Sequence, residues 1–317
     1  KMGKASRLED APGRYVEFVK ASMPRTQNLR GLKIVVDCAH GAAYRVAPQV
    51  LWELEAEVIT IGASPDGKNI NAGFGATATQ ALKQAVVENN AHIGLALDGD
   101  ADRVIMIDEK GQEVDGDQIL ALLASTLQDK NDLKGGAVVA TVMSNLGLER
   151  YLKKHGLDLI RTKVGDRYVV ETMRQEGVNL GGEQSGHIIM LDVSTTGDGL
   201  MAGLQVLSAF ARQKRPASEF LTVFERCPQV LENVSYRSGQ KPLEKQAVIV
   251  AIEEGQKRLE GTGRLLVRPS GTQSIIRVMA EGDDESIVKE VVETISHIIS
   301  APDTDVCTTQ KHKAAAT

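Results

Sequence analysis

Short apolar runs rich in isoleucine and valine alternate with segments of helical periodicity over most of the chain. The first unit of this alternation is predicted to contain strands at 32–39, 57–61 and 92–97 and helices at 42–54 and 77–89. Such an alternation is typical of parallel strands covered by helices. It predicts an α/β domain over 14–116, which closes with a small hairpin around the Glu-Lys-Gly-Gln turn at 109–112.

A second unit repeats the same β/α rhythm over 117–229. Its predicted elements are helices at 117–129, 144–155 and 166–175, strands at 136–141 and 157–162, and a long helix that starts near 198. Asp166 and Asp198 are interpreted as the N-caps of the two later helices. From residue 230 the order becomes strand, helix, strand, strand, helix, which indicates a small domain over 230–302. The predicted fold class is α/β: successive mixed α/β domains with sheets covered by helices, plus a small C-terminal α+β domain.

The composition predicts a soluble globular protein of two or three domains. The chain has 317 residues, 42% of them hydrophobic, and contains no apolar stretch long enough for a membrane span. Its net charge is −5 and its 37 basic residues are dispersed, which argues against a nucleic-acid partner. The N-terminal residues lack the apolar core of a secretory signal. Cys38, Cys227 and Cys307 follow no metal-ligand spacing, so reduced thiols in a cytoplasm are expected.

Three aspartates stand on alternate positions directly after the predicted strand at 92–97. Asp98, Asp100 and Asp102 can converge on one hard divalent cation, which neutralises charges that would otherwise repel one another. Arg103 follows them, and the combination indicates magnesium beside a phosphate. A solvated polar turn is the plain alternative. A calcium loop of the EF-hand type is disfavoured because Arg103 occupies the position that requires glycine, and because a strand precedes the loop.

A second polar motif, Gly-Glu-Gln-Ser-Gly-His, spans 182–187. In an extended segment Glu183, Ser185 and His187 point the same way and offer an acceptor, a hydroxyl and an imidazole to a polyhydroxylated ligand. A polar turn with a hydrogen-bonded histidine is the alternative. A Ser–His hydrolase is disfavoured because residues two apart do not form a nucleophile–base pair, and because Glu183 replaces the first glycine of the G-x-S-x-G elbow.

A third motif, Arg-Pro-Ser-Gly-Thr, joins the last two predicted strands. The backbone N–H groups of such a turn, two hydroxyls and a guanidinium together form a cradle for phosphate. The residues concerned are Arg268, Ser270, Gly271 and Thr272, with Arg277 on the following strand. An ordinary hairpin is the alternative for this motif taken alone.

These three motifs, in this order, resemble those of the α-D-phosphohexomutases, and within that family the bacterial enzymes that act on glucosamine phosphate. Two further stretches, Lys-Val-Gly-Asp-Arg-Tyr-Val at 163–169 and Thr-Thr-Gly-Asp-Gly at 195–199, strengthen the resemblance, which covers nearly the whole chain. It implies domains two, three and four of a four-domain enzyme. Residues 1–13 are then expected to be a linker from a missing N-terminal domain, and 303–317 a flexible tail.

The resemblance also implies an activity. The family moves phosphate between O6 and O1 of a hexose, with an enzyme phosphoserine as donor and Mg²⁺ as cofactor. The implied reaction interconverts glucosamine 6-phosphate and glucosamine 1-phosphate through glucosamine 1,6-bisphosphate, for peptidoglycan precursors in the cytoplasm. No nucleic acid or membrane partner is expected, and a homodimer is left open. The alternatives are a phosphomannomutase or phosphoglucomutase, because no motif identifies the amine-bearing carbon, and a non-catalytic module that binds phosphosugar and magnesium.

Residue roles follow from the same resemblance. The implied magnesium ligands are Asp98, Asp100 and Asp102; the implied catalytic residues are Arg103, beside the transferring phosphate, and His187, near the proton transfer. The implied substrate contacts are Glu183 and Ser185 for the sugar hydroxyls, and Arg268, Ser270, Gly271, Thr272 and Arg277 for the distal phosphate.

The chain departs from the family pattern at several positions. Ala101 stands where glycine is usual, His40 where asparagine is common, and Gln273-Ser274 where Glu-Pro is usual. In the family the phosphoserine lies in a Ser-His-Asn loop, and no serine of this chain has that context. The chain is therefore expected to be inactive alone.

Overall fold

The structure is a computed structural model that describes Gly3 and residues 8–237, 240–270 and 274–301. The predictions for Gly271, Thr272, Gln273, Cys307 and the tail at 303–317 lie outside these residues. The chain forms two compact units, Lys1–Arg226 and Cys227–Thr317. The predicted domain boundaries near 116 and 229 stay predictions. Within the described ranges, every helix is too short or too polar to cross a membrane.

The first unit opens with helix α1 (Ala11–Ala21) and a five-stranded mixed sheet. Its strands are β1 (Lys33–Asp37), β2 (Glu57–Ile61), β3 (Ile93–Leu97), β4 (Val104–Asp108) and β5 (Glu113–Val114), in the order β2-β1-β3-β4-β5. Strand β1 is parallel to β2 and β3, whereas β4 and β5 are antiparallel to their neighbours, so the predicted hairpin is confirmed. Helices α2 (Val46–Glu53) and α3 (Gln80–Glu88) connect the parallel strands, and a 3₁₀ turn at Ala42–Tyr44 precedes α2.

A second, four-stranded sheet follows in the same unit. Its strands are β6 (Ala137–Thr141), β7 (Asp158–Thr162), β8 (Leu180–Gly182) and β9 (Ile188–Met190), in the order β7-β6-β8-β9, with only the β8–β9 pair antiparallel. Its helices are α4 (Gly116–Asp129), α5 (Leu146–Lys154), α6 (Asp166–Glu176), α7 (Gly199–Phe210) and α8 (Ala217–Phe220). Strands β8 and β9 were not predicted from the sequence, because each has only three residues, too few to show a strand periodicity.

The two sheets share one hydrophobic core. Leu95 on β3, Leu120 on α4 and Leu204 on α7 belong to the same buried cluster. Helix α7 packs against β3 and β4 of the first sheet and against β9 of the second. Because α7 contacts both sheets, loops at its N-terminus lie close to loops of both.

Helix caps decide where the later helices begin. Asp198 caps α7 by accepting a hydrogen bond from the Met201 N–H at 2.9 Å, as predicted. The prediction for Asp166 is wrong, because Gly165 is the N-cap of α6 and Asp166 is the first helical residue. Gly165 has φ 128°, a conformation that glycine adopts without strain, so the helix starts after the glycine.

The second unit is a three-stranded antiparallel sheet covered by two helices. Its elements are β10 (Gln229–Ser235), α9 (Gln246–Arg258), β11 (Gly263–Pro269), β12 (Ile275–Gly282) and α10 (Glu285–Ser300), with strand order β10-β12-β11. Val278 on β12 and Val292 and Ile295 on α10 lie in its core. The predicted order of strands and helices is confirmed. A 3₁₀ turn at Pro242–Glu244 precedes helix α9.

Asp117, near the start of α4, is a buried carboxyl group whose ionisation should affect stability. It is fully buried, and its Oδ2 accepts a hydrogen bond from the Asn145 N–H at 2.7 Å. Burial, and next the charge of Asp115, raises the pKa of Asp117 from 3.8 to about 7. The folded chain thus binds the proton of Asp117 more tightly than the unfolded chain does. The stabilisation from this proton is complete below the unfolded-state pKa and is lost as pH rises through the folded-state pKa.

We therefore expect Asp117→Asn, which cannot ionise, to stabilise the chain more at pH 8 than at pH 5, by about 2 kcal/mol. Urea unfolding at the two pH values measures the difference. Asp158→Asn, at an exposed position, is the control and should show no such change. An equal effect of Asp117→Asn at both pH values would contradict the raised pKa.

Candidate active site

The metal loop, residues 98–103, connects the buried strands β3 and β4. Its three aspartates are brought together: one carboxylate oxygen from each of Asp98, Asp100 and Asp102 lies within 4.8 Å of the others. Asp98 is buried, Asp102 is half-buried and Asp100 is exposed. The loop is short and flanked by paired strands, so the three side chains are held on one small surface.

The three carboxylates of this loop are paired with a single guanidinium, that of Arg103, among the described residues. Burial is the largest cause that raises the pKa of Asp98 to about 6, and the charges of Asp102 and Asp100 add to it, against a hydrogen bond from the Arg103 N–H at 3.1 Å. The Arg103 Nε lies 3.8 Å from Asp98 Oδ2 and 3.7 Å from Asp102 Oδ1, longer than a hydrogen bond. A hard divalent cation would supply the missing positive charge, and carboxylate oxygens are its preferred ligands. The donor set therefore fits Mg²⁺.

A second loop, residues 38–42, supports the metal loop from the end of β1. Ala39 and His40 both have left-handed backbone conformations, with φ 52° and 50°. The Ala42 N–H donates to the Gly99 carbonyl at 2.8 Å, and a Cβ on Gly41 would lie 2.2 Å from that same oxygen. In this loop the departure from the family pattern is His40. Its Nδ1 accepts a hydrogen bond from the Ser64 N–H at 3.1 Å.

The sugar turn, residues 183–187, is not extended, so that part of the prediction is wrong. It is the tight turn between β8 and β9, in which the Gly186 N–H donates to the Glu183 carbonyl at 3.0 Å. Glu183 and Ser185 still lie together, because the Ser185 hydroxyl donates to Glu183 Oε2 at 3.2 Å. The buried side chain of His187 lies against Asp102. Gly186, with φ 90°, makes this turn possible.

His187 joins the sugar turn to the metal loop. Its Nδ1 lies 3.1 Å from Asp102 Oδ2, and its backbone forms a β-bridge with Arg103. The next residue pair reinforces the contact, because the Val104 N–H donates to the Gly186 carbonyl at 3.0 Å. The predicted catalytic residues Arg103 and His187 are therefore adjacent, and the first two motifs form one local structure.

Two glycine-containing stretches complete the surroundings, and their roles could not be read from the sequence. The Gly165 N–H donates to Glu183 Oε1 at 3.0 Å, so the start of α6 orients this carboxylate. The Gly199 N–H donates to the Ala101 carbonyl at 2.9 Å, so the start of α7 holds the metal loop. In the sequence both glycines stand beside aspartates, in the two short stretches that strengthen the family resemblance.

The second unit carries the predicted phosphate residues that the structure describes. Arg268 on β11 and Arg277 on β12 stand directly opposite each other in the antiparallel pair. Burial, and next the charge of Arg277, lowers the pKa of Arg268. Directly after β11, the Ser270 N–H donates to the Ile275 carbonyl at 2.8 Å. The arginine pair places two guanidinium groups side by side, and guanidinium groups are the donors that suit a phosphate.

Comparison with protein families assigns all three parts of the chain. Residues 13–111 match the phosphoglucomutase/phosphomannomutase alpha/beta/alpha domain II, residues 115–227 match domain III, and residues 231–298 match the C-terminal domain. The chain belongs to the phosphoglucomutase/phosphomannomutase family. The resemblance inferred from the three motifs is thereby confirmed, and so is the α/β fold class.

Curated members of this family are similar over nearly the whole chain. The phosphoglucosamine mutase of Rhodospirillum centenum is 60% identical over 302 residues, which cover 95% of this chain and 64% of the relative. That of Novosphingobium aromaticivorans is 60% identical over 294 residues, which cover 93% of this chain and 66% of the relative. The chain thus spans just under two thirds of the length of these relatives.

Solved structures show the same fold at lower identity. A phosphoglucomutase/phosphomannomutase family protein from Burkholderia thailandensis has a TM-score of 0.74 at 22% identity, covering 91% of this chain and 64% of that chain. The N-acetylphosphoglucosamine mutase of Aspergillus fumigatus, in complex with GlcNAc-6P and magnesium, has a TM-score of 0.72 at 21% identity, covering 92% of this chain and 71% of that chain.

Proposed function

We propose that this chain carries the magnesium, sugar and distal-phosphate sites of a phosphoglucosamine mutase, an enzyme that interconverts glucosamine 6-phosphate and glucosamine 1-phosphate. The observation that carries the proposal is the meeting of the metal loop and the sugar turn through Asp102 and His187. Sequence identity of 60% to curated phosphoglucosamine mutases supports the choice of sugar. A cytoplasmic location and a role in peptidoglycan precursor synthesis belong to the same proposal.

The metal loop is the proposed phosphoryl-transfer site. Bound Mg²⁺ would neutralise charge on the transferring phosphoryl group. Asp98, Asp100 and Asp102 would hold the ion, and the guanidinium of Arg103, whose side chain is 39% exposed, would donate to the phosphoryl oxygens. The Arg103 Nε lies at more than hydrogen-bond distance from both carboxylates near it.

The sugar turn is the proposed site for the hexosamine ring. Glu183 is held by the Gly165 N–H through one oxygen, and its other oxygen accepts from the Ser185 hydroxyl. An anchored carboxylate next to a rotatable hydroxyl can accept from one sugar hydroxyl and donate to another. Convergence of this turn with Arg268, Ser270, Gly271, Thr272 and Arg277 of the second unit stays a prediction, as does a role for His187 in proton transfer.

Turnover requires a phosphoryl donor that the motifs of this chain do not supply. We propose glucosamine 1,6-bisphosphate as the intermediate and a phosphoserine in the Ser-His-Asn context as the donor. The 317-residue chain should then bind glucosamine 6-phosphate with Mg²⁺ without multiple turnovers. A full-length protein that includes such a serine should turn over.

A direct assay separates the candidates. The chain and a full-length version are each given the 6-phosphates of glucosamine, glucose and mannose, with Mg²⁺ and a trace of the matching bisphosphate. Highest kcat/KM on glucosamine 6-phosphate for the full-length version supports the proposal. A preference for glucose or mannose 6-phosphate would instead identify a phosphoglucomutase or phosphomannomutase. Binding without turnover in both proteins would identify a phosphosugar-binding module.

Arg268→Ala tests the distal-phosphate site. Loss of a bidentate guanidinium contact to phosphate should raise the KM of the full-length version for glucosamine 6-phosphate by about 10-fold or more. Steady-state kinetics measures this, with Arg258→Ala as control, because that exposed arginine of the same unit pairs only with Glu290 among the described residues. An unaltered KM would remove Arg268 from the phosphate site.

A further inference from the structure

A partly buried tyrosine of α1 is hydrogen-bonded to the residue that begins α7. The Tyr15 hydroxyl donates to the carboxylate of Asp198 and lies 3.0 Å from each of its two oxygens. Hydrogen bonds to an ionised acceptor are among the stronger ones in proteins. Burial, and next the charge of Asp198, raises the pKa of Tyr15, so the hydroxyl keeps the proton that it donates. The bond crosses 183 positions of the sequence and fixes the Asp198 side chain from outside α7.

Asp198 in turn sets where α7 begins. Its Oδ1 accepts from the Met201 N–H at 2.9 Å, which is the capping hydrogen bond of the helix. The carboxylate therefore has one donor from its own helix and one from α1. Because the second donor belongs to a different element, Tyr15 limits how far the first turn of α7 can move.

The first residue of α7 holds the metal loop. The Gly199 N–H donates to the Ala101 carbonyl at 2.9 Å. A Cβ on Gly199 would lie 2.3 Å from the Arg103 carbonyl oxygen, so the backbones of the helix and the loop are in direct contact. A shift of the first turn of α7 would therefore shift the metal loop or break this hydrogen bond.

The metal loop needs such support at Ala101. This residue stands between the proposed ligands Asp100 and Asp102, and its backbone is left-handed, with φ 63°. That conformation is unfavourable for a residue with a side chain, and it persists only where surrounding contacts favour it. The hydrogen bond from Gly199 to the Ala101 carbonyl is a contact of this kind.

We propose that Tyr15 is a positioning residue, which fixes the metal loop for cation binding by way of Asp198 and the first turn of α7. This inference deepens the proposed function and rests on its magnesium site. Loss of a group that is hydrogen-bonded directly to a metal ligand commonly weakens metal binding by about 10- to 100-fold. Tyr15 acts through Asp198 and α7, so its loss should have a smaller effect.

Tyr15→Phe removes the hydroxyl and keeps the ring, which packs against the hydrophobic core. Calorimetric titration of the 317-residue chain with MgCl₂ should find that this variant binds Mg²⁺ about 3- to 10-fold more weakly than the unaltered chain. Ser22→Ala is the matched control. It removes a hydroxyl that accepts from Gln205 Nε2 at 2.8 Å, a hydrogen bond between the end of α1 and a later turn of α7. Equal affinities of Tyr15→Phe and Ser22→Ala would overturn the proposal.

An exchange measurement tests the route without metal. Amide hydrogen exchange of the metal-free chain, followed in ¹H–¹⁵N spectra, reports how often the Gly199 N–H leaves the Ala101 carbonyl. Tyr15→Phe should speed exchange of this amide by at least about 10-fold, as expected for loss of a hydrogen bond to a charged group, and Ser22→Ala should leave it within about 3-fold. An unchanged Gly199 rate in Tyr15→Phe would overturn the route through α7, whatever the affinity of the variant for Mg²⁺.

A double-mutant cycle tests the part played by Asp198. If Tyr15 acts through this carboxylate, Tyr15→Phe should not change the Gly199 exchange rate further in an Asp198→Ala background. Additive effects of the two substitutions would contradict that route. Absence of Mg²⁺ binding by the unaltered chain would refute the magnesium site of the proposed function, while the Gly199 exchange rates would still decide whether Tyr15 holds the metal loop.

Discussion

Asp100→Asn is expected to weaken Mg²⁺ binding on the order of 10- to 100-fold while leaving the metal-free fold intact, because affinity for hard cations depends on the charge of the ligand set. Asp100 suits this test because it is exposed, and its side chain makes no hydrogen bond with the described residues. Asp98 and Asp102, in contrast, contact the Arg103 N–H and His187, so their loss would also disturb the loop.

The sign of the stability change distinguishes a metal site from a solvated turn. The charge of Asp100 is one of the causes that raise the pKa of Asp98, so removing it relieves repulsion in the metal-free chain. We expect the metal-free Tm to stay equal or rise, whereas the rise in Tm on adding saturating Mg²⁺ should shrink. A 100-fold loss of affinity removes up to about 2.7 kcal/mol of metal-induced stabilisation.

Differential scanning fluorimetry with and without MgCl₂ measures both quantities. Asp132→Asn, at an exposed position outside the metal loop, is the control and should keep the full Mg²⁺-induced rise. If Asp100→Asn kept it too, the three carboxylates would be a polar turn that binds no cation. In the full-length version the same substitution should lower kcat, since the proposed transfer depends on the ion.

The sequence predicted the fold well wherever a buried strand forms a run of Ile, Val and Leu. Strands β3 and β4 are buried at every position, so they read as continuous apolar runs with polar ends. It failed at β8 and β9, where three-residue strands flank the sugar turn. The segment at 183–187 was predicted to be extended. It forms a turn instead, because Gly186 adopts a positive φ.

Individual site residues were predictable by chemical type, but their pairing was not. Three carboxylates in one loop are visible in the sequence, and the structure does cluster them. The contact between His187 and Asp102 was not predictable, because it depends on how two sheets meet across α7. Gly197 reads as an ordinary turn residue, and only the position of the imidazole shows why a side chain would not fit.

Glycine contacts are the means by which this chain brings its loops together. A Cβ would collide with backbone at Gly41 against Gly99, at Gly116 against Glu183 and at Gly199 against Arg103. Each contact joins one motif to a neighbouring loop, and backbone atoms cannot move aside as a flexible side chain can. The geometry of the site therefore depends on missing side chains as much as on the polar ones.

Gly186→Ala is expected to have the largest effect on stability, a loss of about 3 to 5 kcal/mol. Gly186 has φ 90°, and a Cβ there would lie 2.2 Å from the Val104 carbonyl oxygen and 2.8 Å from its carbon. Its own carbonyl accepts the Val104 N–H, so any shift that relieves the collision also breaks this hydrogen bond between the sugar turn and β4.

Gly177→Ala separates the cost of the positive φ from the cost of the collision between the added Cβ and a neighbouring residue. Gly177 also has a positive φ, 67°, but a Cβ there meets nothing within 4 Å. Gly177→Ala should therefore lower the free energy of unfolding only through the strained backbone conformation, by about 1 kcal/mol. This loss should lower Tm by about 2 to 4 °C. Urea and thermal unfolding should place Gly186→Ala at least about 2 kcal/mol below Gly177→Ala. Equal stabilities of the two variants would mean that β4 yields to the added methyl, and the sugar turn would then not be rigidly joined to the metal loop.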